Sequence, residues 1–346
     1  MRIVVAGAGY AGTVAANRLA RKLTDAQITV VNPSSEFVER VRLHELIAGS
    51  GTATRPLREV LDDRIELRIA AIEKVGDGVL TLADGQSLEY DKLVYAVGSS
   101  NHAPEGTYPV GSLDAARAAH AKLAELDGGA TVTVVGGGLT GLEAASEVAT
   151  ERPDLTVRIV SDEFGASLSS SARQRVLDVL RDLDIDIVTG EWTSDEPADL
   201  TLWAVAGQAH ELAVRSGLAT DPAGRVEVGA CLRSTSNPSV YAIGDSAAVA
   251  GARLSCQAAL PQGAAAADNL VRDLRGEAGK PFSMSFVGQN VSLGRKNGVI
   301  QSAHRNDVPT KIWFGGRPAA YLKERVCRGA LWSARTGRAA SIPGPK

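Results

Sequence analysis

The stretch that decides the fold is VTVVGGGLTGLE, residues 132–143. A run of β-branched residues predicts a buried strand, three glycines follow, and a helix-forming segment comes next. In such a unit the first glycine permits a tight turn, the second lets the backbone approach a pyrophosphate, and the third lets the helix pack closely on the strand. Free N–H groups and the positive end of the helix then face the phosphates. Residues 132–143 therefore predict a phosphate-binding turn.

The same arrangement occurs near the start of the chain, in IVVAGAGYAG at residues 3–12. The three glycines of each turn recur at an offset of 129 residues, and ITVVN (28–32) matches VRIVS (157–161) at that same offset. Two copies of a strand–glycine turn–helix–strand unit are far more specific than one. Because one unit holds one dinucleotide, the chain is predicted to be an α/β protein with two Rossmann-like domains and two dinucleotide sites.

The composition is that of a folded protein with a sizeable core. The chain has 346 residues, 44% of them hydrophobic, and is long enough for two or three domains. No apolar run reaches the length needed to cross a bilayer, and the N-terminus MRIVVAGAG enters a strand without the sections of a signal peptide. These features predict a cytoplasmic protein.

Cysteine and charge patterns add two expectations. The three cysteines form no CxxC and no spacing typical of a metal site, so we predict no metal. The net charge of −3 hides an uneven distribution, because residues 281–346 carry eleven Lys and Arg but two acidic residues, a formal charge of +9. The C-terminal segment is therefore predicted to be a separate basic unit.

Four signatures occur in an order that resembles the two-dinucleotide flavoproteins of the pyridine nucleotide-disulfide oxidoreductase superfamily, over roughly residues 1–280. They are GAGYAG (7–12), YDKLVYAVGS (90–99), GGGLTGLE (136–143) and VYAIGDSA (240–247). The resemblance implies a glutathione-reductase-like fold with FAD on the first unit, NADH or NADPH on the second, and a small α+β C-terminal domain. The implied domains are 1–108 with 232–280 for FAD, 109–231 for NAD(P)H, and 281–346 as the basic C-terminal domain.

On the FAD side, the resemblance implies that Asp245 accepts the ribitol hydroxyls, which agrees with a carboxylate being a pure acceptor. It also implies that a helix following Asp245 aims its N-terminus at the flavin. Pro261 is predicted to take the first position of that helix. The predicted FAD-binding residues are Gly7, Gly9, Tyr10, Ala11, Gly12, Asn32, Gly98, Gly244, Asp245, Pro261 and Gln262.

On the NAD(P)H side, the place of the usual ribose-binding acid at the end of the second strand is taken by Ser161. Asp162 and Glu163 follow, and their carboxylates would repel a 2′-phosphate, which slightly favours NADH. In the first unit the same place is taken by Asn32, whose amide can still bond a ribose hydroxyl. The predicted NAD(P)H-binding residues are Gly136, Gly138, Thr140, Gly141, Ser161, Asp162 and Gly207.

Residues 34–52 contain no cysteine, unlike the disulfide-using members of the superfamily. The resemblance is therefore to the thiol-free branch, the type II NADH:quinone oxidoreductases and apoptosis-inducing-factor-like oxidoreductases. It implies three catalytic candidates, Arg42, His44 and Glu143. Arg42 is the candidate cation to pair with Glu143 beside the nicotinamide, and His44 is a candidate proton donor. The alternatives are a solvated helix face for Arg42 and His44, and a simple surface acid for Glu143.

The implied function is a flavin-dependent NAD(P)H dehydrogenase. A hydride passes from NAD(P)H to flavin N5, and two electrons then pass to a quinone or another small acceptor. Three alternatives stay open: an oxidoreductase acting on one metabolite of a biosynthetic pathway, an NADH-sensing flavoprotein, and electron delivery to a ferredoxin-type protein. We expect no nucleic-acid partner.

The basic C-terminal segment contains two predicted strands within 286–301 and a helix over 317–335 that starts at Pro318. The helix has an apolar side with Tyr321, Leu322, Val326 and Leu331, and basic residues at Lys323, Arg325, Arg328 and Arg335. Such a helix can lie on the inner face of an anionic membrane. The alternatives are packing on the protein's own core or on a dimer partner.

Overall fold

The computed structural model describes residues 1–100, 102–195, 197–339 and 341–344. This part of the chain contains eight α-helices. They are α1 (Tyr10–Lys22), α2 (Leu43–Ala48), α3 (Leu113–Glu125), α4 (Leu139–Glu151), α5 (Ser170–Asp182), α6 (Leu212–Arg215), α7 (Cys256–Leu274) and α8 (Arg317–Thr336).

The strands of the same residues are numbered in chain order. They are β1 (Arg2–Ala6), β2 (Gln27–Asn32), β3 (Glu36–Val38), β4 (Thr54–Pro56), β5 (Glu66–Ile69), β6 (Ile72–Val75), β7 (Val79–Leu82), β8 (Ser87–Glu89), β9 (Lys92–Tyr95), β10 (Ser99–Ser100), β11 (Tyr108–Pro109), β12 (Thr131–Val135), β13 (Thr156–Ser161), β14 (Asp186–Thr189), β15 (Leu200–Trp203), β16 (Gln208–Ala209), β17 (Val226–Glu227), β18 (Val240–Ala242), β19 (Ala247–Ala248), β20 (Gly288–Leu293), β21 (Asn297–Ala303) and β22 (Pro309–Gly315).

Two five-stranded parallel sheets share the order of four strands, β9-β1-β2-β5 in one and β15-β12-β13-β14 in the other, and differ in the strand at one edge. The first is β18-β9-β1-β2-β5 and the second is β11-β15-β12-β13-β14. β1, α1 and β2 begin and end 129 residues before β12, α4 and β13, so the sequence repeat is a structural repeat. β1 and β12 are β-branched and buried along nearly their whole length, as expected for parallel strands covered by helices on both faces. The predicted α/β fold with two Rossmann-like units is confirmed.

The first sheet takes its edge strand β18 from beyond the second sheet, so the chain returns to its first unit before α7. Helix α7 packs against α1, where a Cβ atom on Gly263 would overlap the carbonyl oxygen of Ala11. This return places the fourth sequence signature next to the first. The residue limits of the three domains stay a prediction.

The C-terminal unit is a three-stranded antiparallel sheet, β20-β21-β22, followed by α8. The strand β22 was not predicted, because its sequence PTKIWFG begins with polar residues and lacks regular alternation. The last turn of α8 is held by α1, since Arg18 donates to the carbonyl of Gly337 (3.1 Å) and Arg21 to that of Thr336 (2.8 Å). Among the residues that the structure describes, no helix is both long and apolar enough to cross a membrane.

Candidate functional site

Both glycine turns have the close contacts that their sequences predict. Gly7 and Gly136 have φ values of +98° and +118°, which residues with side chains rarely adopt. A Cβ atom on Gly12 would overlap the carbonyl oxygen of Gly7, and Gly141 has the same relationship to Gly136. The helices α1 and α4 can therefore pack directly against their turns.

The middle glycine of each turn faces open space. A Cβ atom built on Gly9 or Gly138 would meet no atom within 4 Å, so the packing of the protein does not require glycine there. The two glycines are the N-caps of α1 and α4, at the ends where free N–H groups are available. The open approach and the helix ends fit the pyrophosphate of a dinucleotide at each turn.

A cavity of about 270 Å³, here called the dinucleotide cavity, lies beside the first glycine turn. It is bounded by residues from the first, second and fourth signatures and from the start of α4. The predicted residues in its wall are Gly9, Tyr10, Ala11, His44, Gly98, Thr140, Glu143, Gly244 and Asp245. Segments far apart in sequence thus meet in one place, as the order of the signatures implies.

Asp245 lies in the wall of this cavity, and its carboxylate can accept further hydrogen bonds. Its Oδ2 atom accepts a hydrogen bond from the Ser99 hydroxyl (3.3 Å) and lies 3.8 Å from the guanidinium of Arg40. The side chain is 25% exposed, so further lone pairs are available to the hydroxyls of a ribitol chain. Arg40, which the sequence analysis missed, adds a cation that suits a pyrophosphate.

The prediction that Pro261 starts a helix is wrong. Helix α7 begins at Cys256 and is capped by Ser255, so Pro261 lies in its second turn. Without an N–H group, Pro261 cannot complete the bond to the carbonyl four residues earlier, but the helix continues through it. Ser255 and Cys256 both border the dinucleotide cavity, so it is the cap of α7 that faces the site.

Gln262 is buried on α7 and supports the loop that carries Asp245. Its Oε1 atom accepts the N–H of Gly244 at 2.7 Å. The backbone of Gly244 has a φ of +70°, which explains the glycine at this position. A direct contact between Gln262 and a cofactor stays a prediction.

Asn32 ends β2, and its amide is bonded within the protein. Its Oδ1 atom accepts the N–H of Ala8 (3.0 Å) and its Nδ2 atom donates to the carbonyl of Ser34 (2.8 Å). Because an amide oxygen has two lone pairs, one acceptor position is left for a ribose hydroxyl. The amide also ties the glycine turn to the end of the second strand.

At the matching position of the second unit, fewer polar groups are already hydrogen-bonded within the protein. Ser161 ends β13 and donates to the carbonyl of Glu163 at 3.0 Å, while Asp162 is exposed. The Glu163 carboxylate pairs with Arg173 at 2.8 Å. Gly207 lies between β15 and β16, just as Gly98 lies between β9 and β10 in the first unit. The binding roles of these residues remain predictions.

Glu143 is buried on α4 and pairs with Lys323 of α8, whose Nζ atom lies 2.8 Å from Oε1. The N–H and hydroxyl of Ser292 donate to the same oxygen at 3.1 and 3.2 Å. His44 lies 3.9 Å from the other carboxylate oxygen. The alternative that Glu143 is a surface acid is therefore wrong. Lys323 was expected on a basic helix surface, yet its side chain is only 12% exposed.

The protonation of this cluster follows from burial and charge. Burial raises the pKa of Glu143, but Lys323, His44 and the hydrogen bonds from Lys323 and Ser292 together outweigh burial, so the pKa lies below its ordinary value. Burial lowers the pKa of Lys323, but Glu143 together with the nearby Cys327 and Cys256 outweighs burial, and the net pKa is raised. Burial also lowers the pKa of His44, so its imidazole is neutral at neutral pH. The site thus holds an ionised pair beside a neutral imidazole.

The expectation that Arg42 pairs with Glu143 is wrong. Arg42 contacts Glu39 (3.2 Å), Glu45 (3.1 Å) and Glu324 (2.9 Å) instead. A planar guanidinium with five donors can serve several carboxylates at once, whereas the single ammonium of Lys323 suits Glu143. Arg42 and His44 are both buried, so the alternative of a solvated helix face is also wrong.

An apolar cleft of about 990 Å³ adjoins the dinucleotide cavity. Its outer wall is formed by large side chains of α8 and β22: Leu322, Val326, Trp332, Ile312 and Phe314. The two spaces share the wall residues Val41, Thr140, Glu143, Ser255, Cys256 and Lys323. A ligand in the cleft would therefore be next to one in the cavity.

Helix α8 presents its predicted apolar side differently from a core helix. It packs on the protein through small residues, with Ala330 and Ala334 buried, while Leu331 is half-buried. Tyr321, Leu322 and Val326 are exposed. Packing on the protein's own core therefore does not account for most of the apolar side.

Two free thiols border the apolar cleft. Cys256 comes from α7 and Cys327 from α8, a meeting that the sequence did not reveal. Burial raises the pKa of Cys256 to about 12 and also raises that of Cys327. Both are therefore protonated and weakly nucleophilic at neutral pH.

Comparison with known proteins identifies the family of the chain. The family model of the pyridine nucleotide-disulphide oxidoreductases matches residues 1–263. A NADH dehydrogenase-like protein of Mycobacterium tuberculosis is 28% identical, with 99% of this chain and 96% of that protein covered. Human ferroptosis suppressor protein 1 is 24% identical, with 87% of this chain and 88% of that protein covered.

A solved structure shows the same fold over nearly the whole chain. The sulfide:quinone oxidoreductase of the hyperthermophilic bacterium Aquifex aeolicus has a TM-score of 0.80 and 20% identity, covering 97% of this chain and 92% of that one. The repeated dinucleotide turns, the shared cavity and the family match lead to one conclusion. The chain belongs to the pyridine nucleotide-disulphide oxidoreductase family and is an enzyme that uses FAD and NADH or NADPH for oxidoreduction.

Proposed function

We propose that this enzyme delivers the reducing equivalents of NADH to a quinone without a redox disulfide. The apolar cleft carries the proposal, because it shares a wall with the dinucleotide cavity. Its aromatic and aliphatic walls suit a flat apolar ring. Its charged side chains are already paired, Lys323 with Glu143 and Arg253 with Asp307, which disfavours a highly charged metabolite.

In this proposal some residues bind the cofactors and others stabilise charge on the acceptor. Bound FAD supplies a carrier that takes two electrons from a nicotinamide and passes them to a second acceptor. Asp245, Arg40 and the Gly9 turn would hold it, and the Gly138 turn would position NADH. The Lys323 ammonium can stabilise negative charge developing on an acceptor oxygen, and the adjacent Glu143 can exchange a proton with it.

NADH is the inferred donor on electrostatic grounds. The exposed carboxylate of Asp162 follows the strand end where the adenosine ribose is expected, and Glu163 comes next. A 2′-phosphate would meet these negative charges, although Arg173 offsets that of Glu163. We therefore expect faster reduction of the enzyme by NADH than by NADPH.

The acceptor side supports a peripheral contact with a membrane. Leu322, Val326 and Trp332 are exposed beside the cleft, and Arg325 and Arg328 lie on the same helix. Apolar side chains insert at the headgroup boundary, and each basic residue adds about 1 kcal/mol on anionic lipid. A quinone dissolved in the bilayer would then enter the cleft directly.

Two steps test the proposed function. The yellow protein is first reduced anaerobically with NADH or NADPH, and reoxidation is then followed with several quinones, small metabolites and a ferredoxin-type protein. The proposal expects fast reoxidation by quinones of different head groups. A single metabolite that is far faster than every quinone would refute it, as would salt-sensitive reduction of the protein acceptor alone. Stable reduced colour with every acceptor would indicate a sensor.

A further inference from the structure

A third space, here called the rear cavity, lies on another face of α8. Its volume is about 520 Å³, and many of the side chains in its wall are charged. It is lined by Arg42, Glu45, Ser292, Arg295, Lys323 and Glu324, among others. Helix α8 places Leu322 and Val326 in the wall of the apolar cleft and Glu324 in that of the rear cavity, while Lys323 and Cys327 border both spaces.

The hydroxyl of Ser292 connects the rear cavity with the buried cluster of the site. It donates to Glu143 at 3.2 Å and lies 3.5 Å from Nε2 of His44. Ser292 borders the rear cavity, whereas Glu143 and His44 border the dinucleotide cavity. The backbone N–H of Ser292 also bonds Glu143, which fixes the hydroxyl near the carboxylate.

Quinone reduction needs a proton that NADH does not bring. In the balanced reaction NADH, a quinone and one proton give NAD⁺ and a quinol. NADH loses a hydride, which is two electrons and one proton, and the quinone gains these together with one proton from water. A quinone seated in the apolar cleft fills the direct path from solvent, so this second proton requires another route.

On the basis of the proposed function, we propose that the rear cavity is the proton entrance, and that Ser292 passes the proton to Glu143. Glu143 lies beside the cleft, next to Lys323, and is the last group before the acceptor. Ser292 is thus assigned as a positioning and relay residue for the acceptor half of the reaction.

Two arginines at the entrance are ion-paired with carboxylates, while Lys296 and Arg317 add positive charge to the same wall. Arg42 contacts Glu45 and Glu324, and Arg295 contacts Glu45 and Glu147. Because burial keeps the His44 imidazole neutral, it can hold a proton transiently beside Ser292.

The test compares an acceptor that takes up protons with one that does not. In the holoenzyme, Ser292→Ala should slow reduction of a soluble short-chain quinone by about tenfold or more, in kcat rather than KM. Reduction of ferricyanide, which gains an electron but no proton, should be unchanged. Ser292→Thr keeps the hydroxyl and should restore quinone reduction. Ser285→Ala, an equally buried serine bonded to the carbonyl of Pro343, is the control.

A readout without turnover accompanies the kinetics. In the oxidised protein, the NMR titration of His44 should change in Ser292→Ala and stay unchanged in Ser285→Ala. Equal loss of quinone and ferricyanide rates, loss of neither, or an unaltered His44 titration would overturn the route. If the natural protein reduces ferricyanide but no quinone, the proposed function fails instead, and the route falls with it.

Discussion

Glu143 of α4 and Lys323 of α8 form a buried ion pair, 2.8 Å long, between the second dinucleotide unit and the C-terminal helix. The pair stands in the wall that the dinucleotide cavity shares with the apolar cleft. Neither charge is well hydrated, so each depends on the other. The same contact therefore contributes to the charge distribution of the site and to the position of α8.

Removing one charge of this pair should be costly. Lys323→Met leaves Glu143 buried without its cation and should lower the free energy of unfolding by about 3–5 kcal/mol. Adding Glu143→Gln should recover much of the loss, because no uncompensated charge remains. Urea unfolding of the four proteins in a double-mutant cycle measures the coupling, and additive losses would show that the two side chains do not depend on each other.

The stabilisation by the pair should depend on pH in a defined direction. The pKa of Glu143 is lowered from 4.5, so its contribution is complete above that value and is lost as the pH falls through the lowered pKa. The pKa of Lys323 is raised from 10.5, so its contribution is complete below that value and is lost as the pH rises further. The stability difference from the double variant should therefore be flat between these limits. A slope near pH 7 would contradict the assignment.

Substitutions at Gly9 and Gly138 should distinguish the FAD site from the nicotinamide site. Gly9 and Gly138 have φ values of −74° and −68°, and a Cβ atom meets nothing at either place, so valine is compatible with the fold. Gly138→Val should bind FAD but no longer be bleached by NADH, because the side chain fills the approach of a pyrophosphate. Gly9→Val should lose FAD and remain folded.

Each glycine variant is the control for the other. Absorbance at the flavin band measures FAD content, anaerobic bleaching measures reduction by NADH, and circular dichroism measures folding. If Gly138→Val bleaches at the normal rate, the second turn is not the nicotinamide site.

Asp245 should decide flavin retention. Asp245→Ala removes the carboxylate acceptor from the cavity wall, and a lost hydrogen bond to a charged group costs about 1.5–3 kcal/mol, or roughly 10- to 150-fold in FAD affinity. Asp245→Asn retains one oxygen, and its FAD affinity should lie between those of the natural protein and the alanine variant. The ratio of flavin to protein after purification and the FAD dissociation constant check this. Full occupancy in the alanine variant would remove Asp245 from the site.

The exposed face of α8 should control membrane contact. Trp332→Ser with Val326→Ser should reduce sedimentation with anionic vesicles and raise the KM for a long-chain quinone, while ferricyanide reduction stays constant. Arg325→Gln should weaken binding to anionic vesicles only. If none of the variants binds differently and the natural protein is a concentration-dependent dimer, α8 faces a second copy of the chain.

The glycine turns and the signature order could be predicted because their geometry is local in sequence. Gly12 makes close contact with Gly7, five residues earlier, and the same spacing repeats for Gly141 and Gly136 in the second unit. The pairing of Lys323 could not be predicted, since it depends on how α8 packs on α1 and on the C-terminal strands β20 and β21. In a segment with eleven basic residues, nothing in the sequence distinguishes the one that turns inward.

The sequence-based predictions for Pro261 and Arg42 are wrong for related reasons. Proline is favoured in the first turn of a helix, but the packing of α7 on α1 extends the helix beyond it on the N-terminal side. Arg42 and Lys323 carry the same charge, and only the tertiary fold decides which one meets Glu143. The sequence alone therefore predicts both nucleotide turns, but not the chemistry where the C-terminal unit closes the site.

Lys323 supplies part of the wall of the dinucleotide cavity, although α8 follows both Rossmann-like units in the chain. During synthesis the ribosome exposes those units first, while α8 is still inside the exit tunnel. A nascent chain can therefore fold two nucleotide-binding sheets before the cavity is closed. Products of premature termination before α8 would lack Lys323, which we propose stabilises charge on the acceptor.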